Sequence, residues 1–108
     1  MNNHKNSILH QTENGCVLKC TCCKKLQLSF GNMVMKINHE QFLSFMECIE
    51  KVDLDKTPNA LLPNEKEYLI RLPNNISFAF TREEIKELKE LLEWSQATLK
   101  VNNLLETC

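Results

Sequence analysis

Apolar residues recur at every second position in several short stretches and at every third or fourth position in two longer ones, and this change of period marks the elements. In LQLSF, Leu26, Leu28 and Phe30 share one face; Gly31-Asn32 supplies a two-residue turn, and Met33, Met35 and Ile37 alternate on the return. Asn38 then offers an N-cap with Gln41 three residues on. Phe42, Phe45, Met46, Ile49 and Val52 follow at helical spacing. The unit over residues 26–52 is therefore strand, strand, helix.

The same order returns in residues 67–100. Tyr68, Ile70 and Leu72 alternate, Pro73-Asn74-Asn75 turns the chain, and Ile76, Phe78 and Phe80 alternate again. Thr81 with Glu84 forms a capping box, and Ile85, Leu88, Leu92 and Leu99 make one apolar helical stripe. Aligning Asn38 with Thr81 sets Ile37 over Phe80 and Phe42 over Ile85, the register of a pseudo-repeat. Between the units, residues 53–66 hold two prolines among polar residues and read as a loop, which Leu61 and Leu62 could pin. Two such units close over one another. The expected fold class is α+β, a ββα-ββα two-layer sandwich: one four-stranded antiparallel sheet with both helices on one face, preceded by a Cys-rich hairpin over residues 7–25. Residues 101–108 read as a tail.

The leading hairpin carries the candidate chemistry. Asn14-Gly15 is the strongest short turn signal in the chain. Used as a two-residue loop, it pairs Glu13 with Cys16, Thr12 with Val17, Gln11 with Leu18 and His10 with Lys19. Four of the six cysteines, Cys16, Cys20, Cys22 and Cys23, lie within eight residues. Cys20 and Cys23 have the spacing of a zinc knuckle, in which one tight turn places two thiolates at adjacent corners of a tetrahedron. His10 on the neighbouring strand is a third candidate ligand and Cys16 a further one. Cys22, His4, Cys108 or water are the other choices for the remaining corner. No second CxxC or HxxxH pair completes the set.

Two other readings stand beside the metal. Cys16, Cys20 and Cys22 share strand parity and could pack as small apolar residues. Alternatively, Lys19, Lys24 and Lys25 could depress a thiol pKa and make Cys20 and Cys23 a redox pair, although strand-like KLQLSF follows where an activating helix N-terminus is expected. Cys48 reads as a helix-flank residue, His39 as solvated, and Met33, Met35 and Met46 as core. Trp94 borders the second helix's stripe, as a partly covered core edge or a partner anchor.

Composition narrows the classes. A chain of 108 residues suits one domain, which at this size buries roughly two thirds of its unfolded surface. No apolar run reaches spanning length, and MNNHKNSILHQTENG has neither the apolar region nor the cleavage site of a signal peptide, so a cytoplasmic protein is expected. There, cysteines read as ligands or core rather than disulfides. Net charge is −1, with Lys5, Lys19, Lys24, Lys25 and Lys36 set against Glu13 alone in residues 1–39. This basic bias is too weak to define a nucleic-acid surface. No GxSxG, P-loop, dinucleotide fingerprint or HExxH appears. Glu83, Glu84, Glu87, Glu90 and Glu93 belong to a charged helix face.

NGCVLKCTCCKKLQLSFGN, followed by the capped helix with FLSFMECI, resembles a family of small uncharacterised proteins of Bacteroidetes-type bacteria that join a CxxC to a QLxFGN-like hairpin. The likeness covers mainly residues 10–50. It implies that Cys20, Cys23, Gly31 and Asn32 hold recurring positions, and it favours His10 as a ligand. No activity comes with it.

The expected function is a zinc-knuckle-like binding or regulatory module without catalytic activity, with zinc as cofactor and a protein partner ahead of nucleic acid. The alternative is a thiol redox protein using Cys20 and Cys23. Oligomeric state is open at this stage.

Overall fold

A computed structural model describes residues 6–20, 24–52, 54, 68–73 and 75–106, with the side chains of residues 6 and 103–106 excepted. Among the described residues, six strands and two helices follow in the order β1 (Asn6–Gln11), β2 (Gly15–Cys20), β3 (Leu26–Phe30), β4 (Met33–Ile37), α1 (His39–Glu50), β5 (Tyr68–Leu72), β6 (Ile76–Phe80) and α2 (Arg82–Glu106). The class is α+β. The strands divide differently from the expected sandwich. β1 to β4 form an antiparallel meander in chain order, and β5-β6 is a separate two-stranded sheet. The Cys-rich hairpin is therefore half of the main sheet rather than an appendage.

Connection length explains that division. Only five residues separate the end of β2 from the start of β3, and Val17 lies opposite Leu28 and Lys19 opposite Leu26, so β3 finds its second neighbour locally. The segment between α1 and β5, most of which with Leu61 and Leu62 lies outside the described residues, would have to bring β5 to an edge at a higher entropic cost.

Both helices begin where the caps foretell. Gln41 N donates to Asn38 Oδ1 at 2.8 Å and Asn38 N to Gln41 Oε1 at 2.9 Å. At α2, Glu84 N donates to Thr81 Oγ1 at 3.1 Å and Thr81 N to Glu84 Oε1 at 2.7 Å. Such reciprocal bonds satisfy amide donors that a helix start otherwise leaves unpaired. α2 continues to Glu106, past the expected tail boundary at residue 101.

One face of the main sheet supplies the core. Val17, Leu26, Leu28, Phe30, Met33 and Ile37 are buried there against Phe42, Phe45 and Ile49 of α1 and Ile85, Leu88, Leu91, Leu92 and Leu99 of α2. α2 lies against β1 and β2, while α1 packs beside it and on β4. The β5-β6 sheet joins this core through Tyr68, Ile70 and Phe80, with the Phe80 ring edge-on to Phe30 at 6.1 Å. Below it, Leu54 O accepts from Arg82 Nη1 at 2.6 Å and from Tyr68 Oη at 3.3 Å, and Val52 O accepts from Lys89 Nζ at 3.1 Å. These three side chains tie the chain leaving α1 to β5 and α2.

Gly31, at φ +56°, takes the first position of the β3-β4 turn, where a positive φ favours glycine. Gly15 has a different role. It opens β2, and a Cβ there would lie 2.8 Å from both Leu91 Cδ2 and Phe30 Cδ1 and 2.9 Å from Ser29 O. Close approach of helix and neighbouring strand requires glycine at this position, not turn conformation. No positive φ occurs at Asn14 or Gly15.

Candidate functional site

The expected β1-β2 register is displaced by two residues. Gln11 faces Cys16, His10 faces Val17 and Ile8 faces Leu18, with a bulge between Ile8 and His10. The loop is consequently longer than Asn14-Gly15, and Thr12 N donates to Gly15 O at 2.9 Å across it. A carboxylate from α2 sets that loop. Glu87 Oε2 accepts from Thr12 Oγ1 at 2.6 Å and Asn14 N at 2.8 Å, and Glu87 Oε1 accepts from Asn14 Nδ2 at 2.8 Å. Burial raises the Glu87 pKa, but the bonds from Thr12 and Asn14 outweigh it and hold the carboxyl below its ordinary value of 4.5.

The register assigns each candidate ligand to a face. Residues directly opposite in an antiparallel pair point the same way, so His10 shares the helix-covered face with buried Val17. The His10 ring stacks on Trp94 of α2, with centroids 5.9 Å apart and planes at 24°, and its Nε2 lies 3.9 Å from Glu90 Oε2. Cys16 and Cys20 have the other parity. They lie on the face turned away from the helices, with Leu18, Ser29 and the exposed Ile8 and Val34. His10 and Cys20 therefore address opposite sides of one sheet. The expected pairing of His10 with Lys19 is replaced by one with Val17, which moves His10 about 7 Å further along the sheet from Cys20 and leaves it on the same face, that of Lys19 and Val17.

Distance also separates Cys16 from Cys20. Four strand residues at about 3.3 Å each set them roughly 13 Å apart, whereas two thiolates on one zinc, each about 2.3 Å from it, must lie within roughly 4 Å. The two cannot share an ion while β2 is extended. Cys20 is the last residue of β2, and its backbone N donates to Lys25 O at 2.9 Å, closing the β2-β3 turn. Lys24, the residue after Cys23, has φ +55°. Cys23, together with Cys22, His4 and Cys108, lies outside the described residues.

Other site chemistry is modest. Among the described residues no three His, Cys, Asp or Glu side chains gather as a metal-holding group. Burial pushes the Cys16 thiol pKa up, which disfavours its thiolate. Cys48 is exposed on α1, as its flank position indicates, and His39 is exposed with Nε2 3.5 Å from Gln96 Oε1. Lys24 and Lys25 are exposed beside the turn, while Phe30 at the far end of β3 is buried.

Trp94 departs from the expected core edge: it is 58% exposed. Sequence reasoning also missed the partnership of Glu87 with the β1-β2 loop, because donors and acceptor are more than 70 residues apart. The available signals were a Trp four residues after a Glu on a face that already had a sufficient apolar stripe, and a Thr and Asn around a turn. Among the described residues no helix is long and apolar enough to cross a membrane.

No curated protein and no solved structure matches the chain. A family model does match, over residues 1–108, so the capped helices and the four-stranded meander that ends its second strand at Cys20 are those of a member of the Family of unknown function (DUF6686).

Proposed function

We propose that this chain is a small binding module of a reducing compartment in which the β2-β3 turn, clasped by zinc through Cys20 and Cys23, presents a contact surface to a partner protein. The observation that carries the reading is the closure of that turn by the bond from Cys20 N to Lys25 O, with a left-handed residue directly after Cys23. A CxxC must fold back tightly for both thiolates to meet one ion, and a left-handed residue helps turn the chain into the returning strand. Soft thiolate donors suit zinc over hard cations. His10 and Cys16 are not in this set; the remaining ligands come from elsewhere.

The module reading also draws on the scaffold. The turn is mounted on two central strands of a packed sheet, so its position is fixed without the metal, and zinc orders the loop locally. Exposed Lys24 and Lys25 give it a positive rim, while Phe30, on the strand that follows the turn, is buried and offers no face for base stacking there. A protein with a complementary acidic patch is the favoured partner.

Native mass spectrometry of freshly purified protein, with and without chelator, tests this. About one zinc per chain, lost in a Cys20→Ser variant and retained in Cys16→Ser and His10→Ala variants, is expected. Metal-free protein with a reversible Cys20-Cys23 disulfide would instead make the chain a thiol redox protein. Retention of zinc by Cys20→Ser would also refute the clasp.

A further inference from the structure

The sheet ends at β1 on one side, and among the described residues no strand pairs its outer edge. β1 reads NSILHQ, with no Lys, Glu, Asp or Pro, so the charges and prolines that commonly guard an open edge are missing and only the bulge beside Leu9 remains. Directly above this edge lies a second unpartnered feature. α2 already buries one stripe in the core, yet it carries Trp94 and Val101, 58% and 54% exposed, with exposed Ala97 between them. Their three- and four-residue spacings put them on one helix face, and His10 of β1 stacking on Trp94 shows that this face borders the β1 edge.

We propose that this side of the molecule is a twofold interface at which a second copy of the chain docks, β1 beside β1 and α2 across α2. The geometry of the fold selects that occupant. Adjacent strands lie about 4.8 Å apart, so a twofold axis beside β1 is roughly 2.4 Å from it. α2 rests against both β1 and β2, which places its axis about 4.8 Å from the twofold and the two α2 axes about 10 Å apart. Packed helices lie 8–10 Å apart. A helix centred over β1 alone would clash with its copy, and one over β2 would leave a gap. Two strand spacings of sheet twist turn the helices by roughly 40–50°, close to the commonest packing angle.

The sequence of α2 is self-complementary in this arrangement. α2 runs opposite to β1, since Glu87 meets the Thr12 end and Trp94 meets His10. The middle of β1, one or two residues from His10, thus lies below about residue 97 of α2. The small Ala97 falls at the crossing, Trp94 of each chain meets Val101 of the other, and Glu93 comes alongside Lys100 of the copy. Within one chain Glu93 and Lys100 are about 10 Å apart along the helix and cannot pair. The bulge keeps the strand contact short, so the helix seam carries most of the association.

Sedimentation velocity of the full chain from low to high micromolar concentration tests the interface. A reversible dimer is expected. Val101→Lys, at an exposed position, should weaken it at least about tenfold with the helical circular dichroism unchanged. Ala97→Glu serves the same purpose if Val101→Lys does not fold. Glu93→Lys and Lys100→Glu should each weaken association roughly two- to fivefold, and the double exchange should restore it. A chain that stays monomeric throughout, a dimer indifferent to both seam variants, or a double exchange whose losses add would overturn the proposal.

Discussion

Removing the Glu87 carboxylate should release the β1-β2 loop from α2 and cost a measurable share of the stability. Three donors converge on it: the part-buried Thr12 hydroxyl at 2.6 Å, and the Asn14 amide and side chain at 2.8 Å, which are exposed. A hydrogen bond to a charged group contributes roughly 1.5–3 kcal/mol when protected, but competition from water reduces the two exposed bonds to a few tenths each, so Glu87→Ala should lose about 2 kcal/mol. Glu87→Gln keeps acceptors for two of the donors and turns an amide towards the third, a loss of about 1 kcal/mol. For a domain of this size the alanine variant should melt roughly 8–16 °C lower.

The pH dependence separates this account from a generic packing loss. Because the folded-state pKa of Glu87 lies below its ordinary 4.5, the folded protein releases the proton more readily than the unfolded chain. The carboxylate's stabilisation is fully present above that ordinary value and disappears as pH falls through the lower, folded-state value. Urea unfolding followed by far-ultraviolet circular dichroism at pH 7, and at steps below pH 4.5, reads both quantities. The gap between wild type and Glu87→Gln should narrow with acid. A Glu87→Ala protein within about 0.5 kcal/mol of wild type at neutral pH, or a gap indifferent to acid, would refute the reasoning.

Three further substitutions probe other parts of the fold. Gly15→Ala should lose about 1–3 kcal/mol, since its Cβ would sit 2.9 Å from a backbone oxygen that cannot swing away; unchanged denaturation would show that α2 and β3 can yield there. Ser95 is fully buried and its hydroxyl has no hydrogen-bond partner among the described residues, so Ser95→Ala should be neutral or stabilising by up to about 1 kcal/mol, and a loss in the same titration would reveal an acceptor. Asn75 holds φ +61° in the β5-β6 turn, so Asn75→Gly should be nearly neutral and Asn75→Val should cost about 1–2 kcal/mol by thermal melting; equal melting of all three would exclude backbone control of that turn.

What was legible in the sequence is what short-range physics decides. Asn38 with Gln41 and Thr81 with Glu84 mark the helix starts because each cap is complete within four residues, and β3 to β6 alternate against a core that needs one apolar face from each. Strand partnership was not legible. Tyr68, Ile70 and Leu72 alternate as well as Leu26 and Leu28 do, and nothing in their spacing says that they pair only with β6. The β1-β2 register was misread because Asn14-Gly15 matches a turn preference, whereas Gly15 is required by Leu91 and Phe30, two residues far along the chain. That same two-residue error set His10 two β2 residues nearer to Cys20 than it lies, while its face, opposite to that of Cys20, is the same in both registers. The Cys20 position at a strand end was readable from its place before KKLQLSF, and so was its parity against His10; the bulge between Ile8 and His10 was not, since no local pattern announces it.

The hold of α2 on the β1-β2 loop has a consequence for synthesis. Thr12 waits for Glu87, 75 residues later, and at about 5–20 residues per second a ribosome needs roughly 4–15 s to deliver it. Throughout that interval the first four strands can pair, but much of their apolar side has no cover of its own. The growing polypeptide is therefore most vulnerable to mispairing just before α2 emerges, and a chaperone that shields the meander would act in that window.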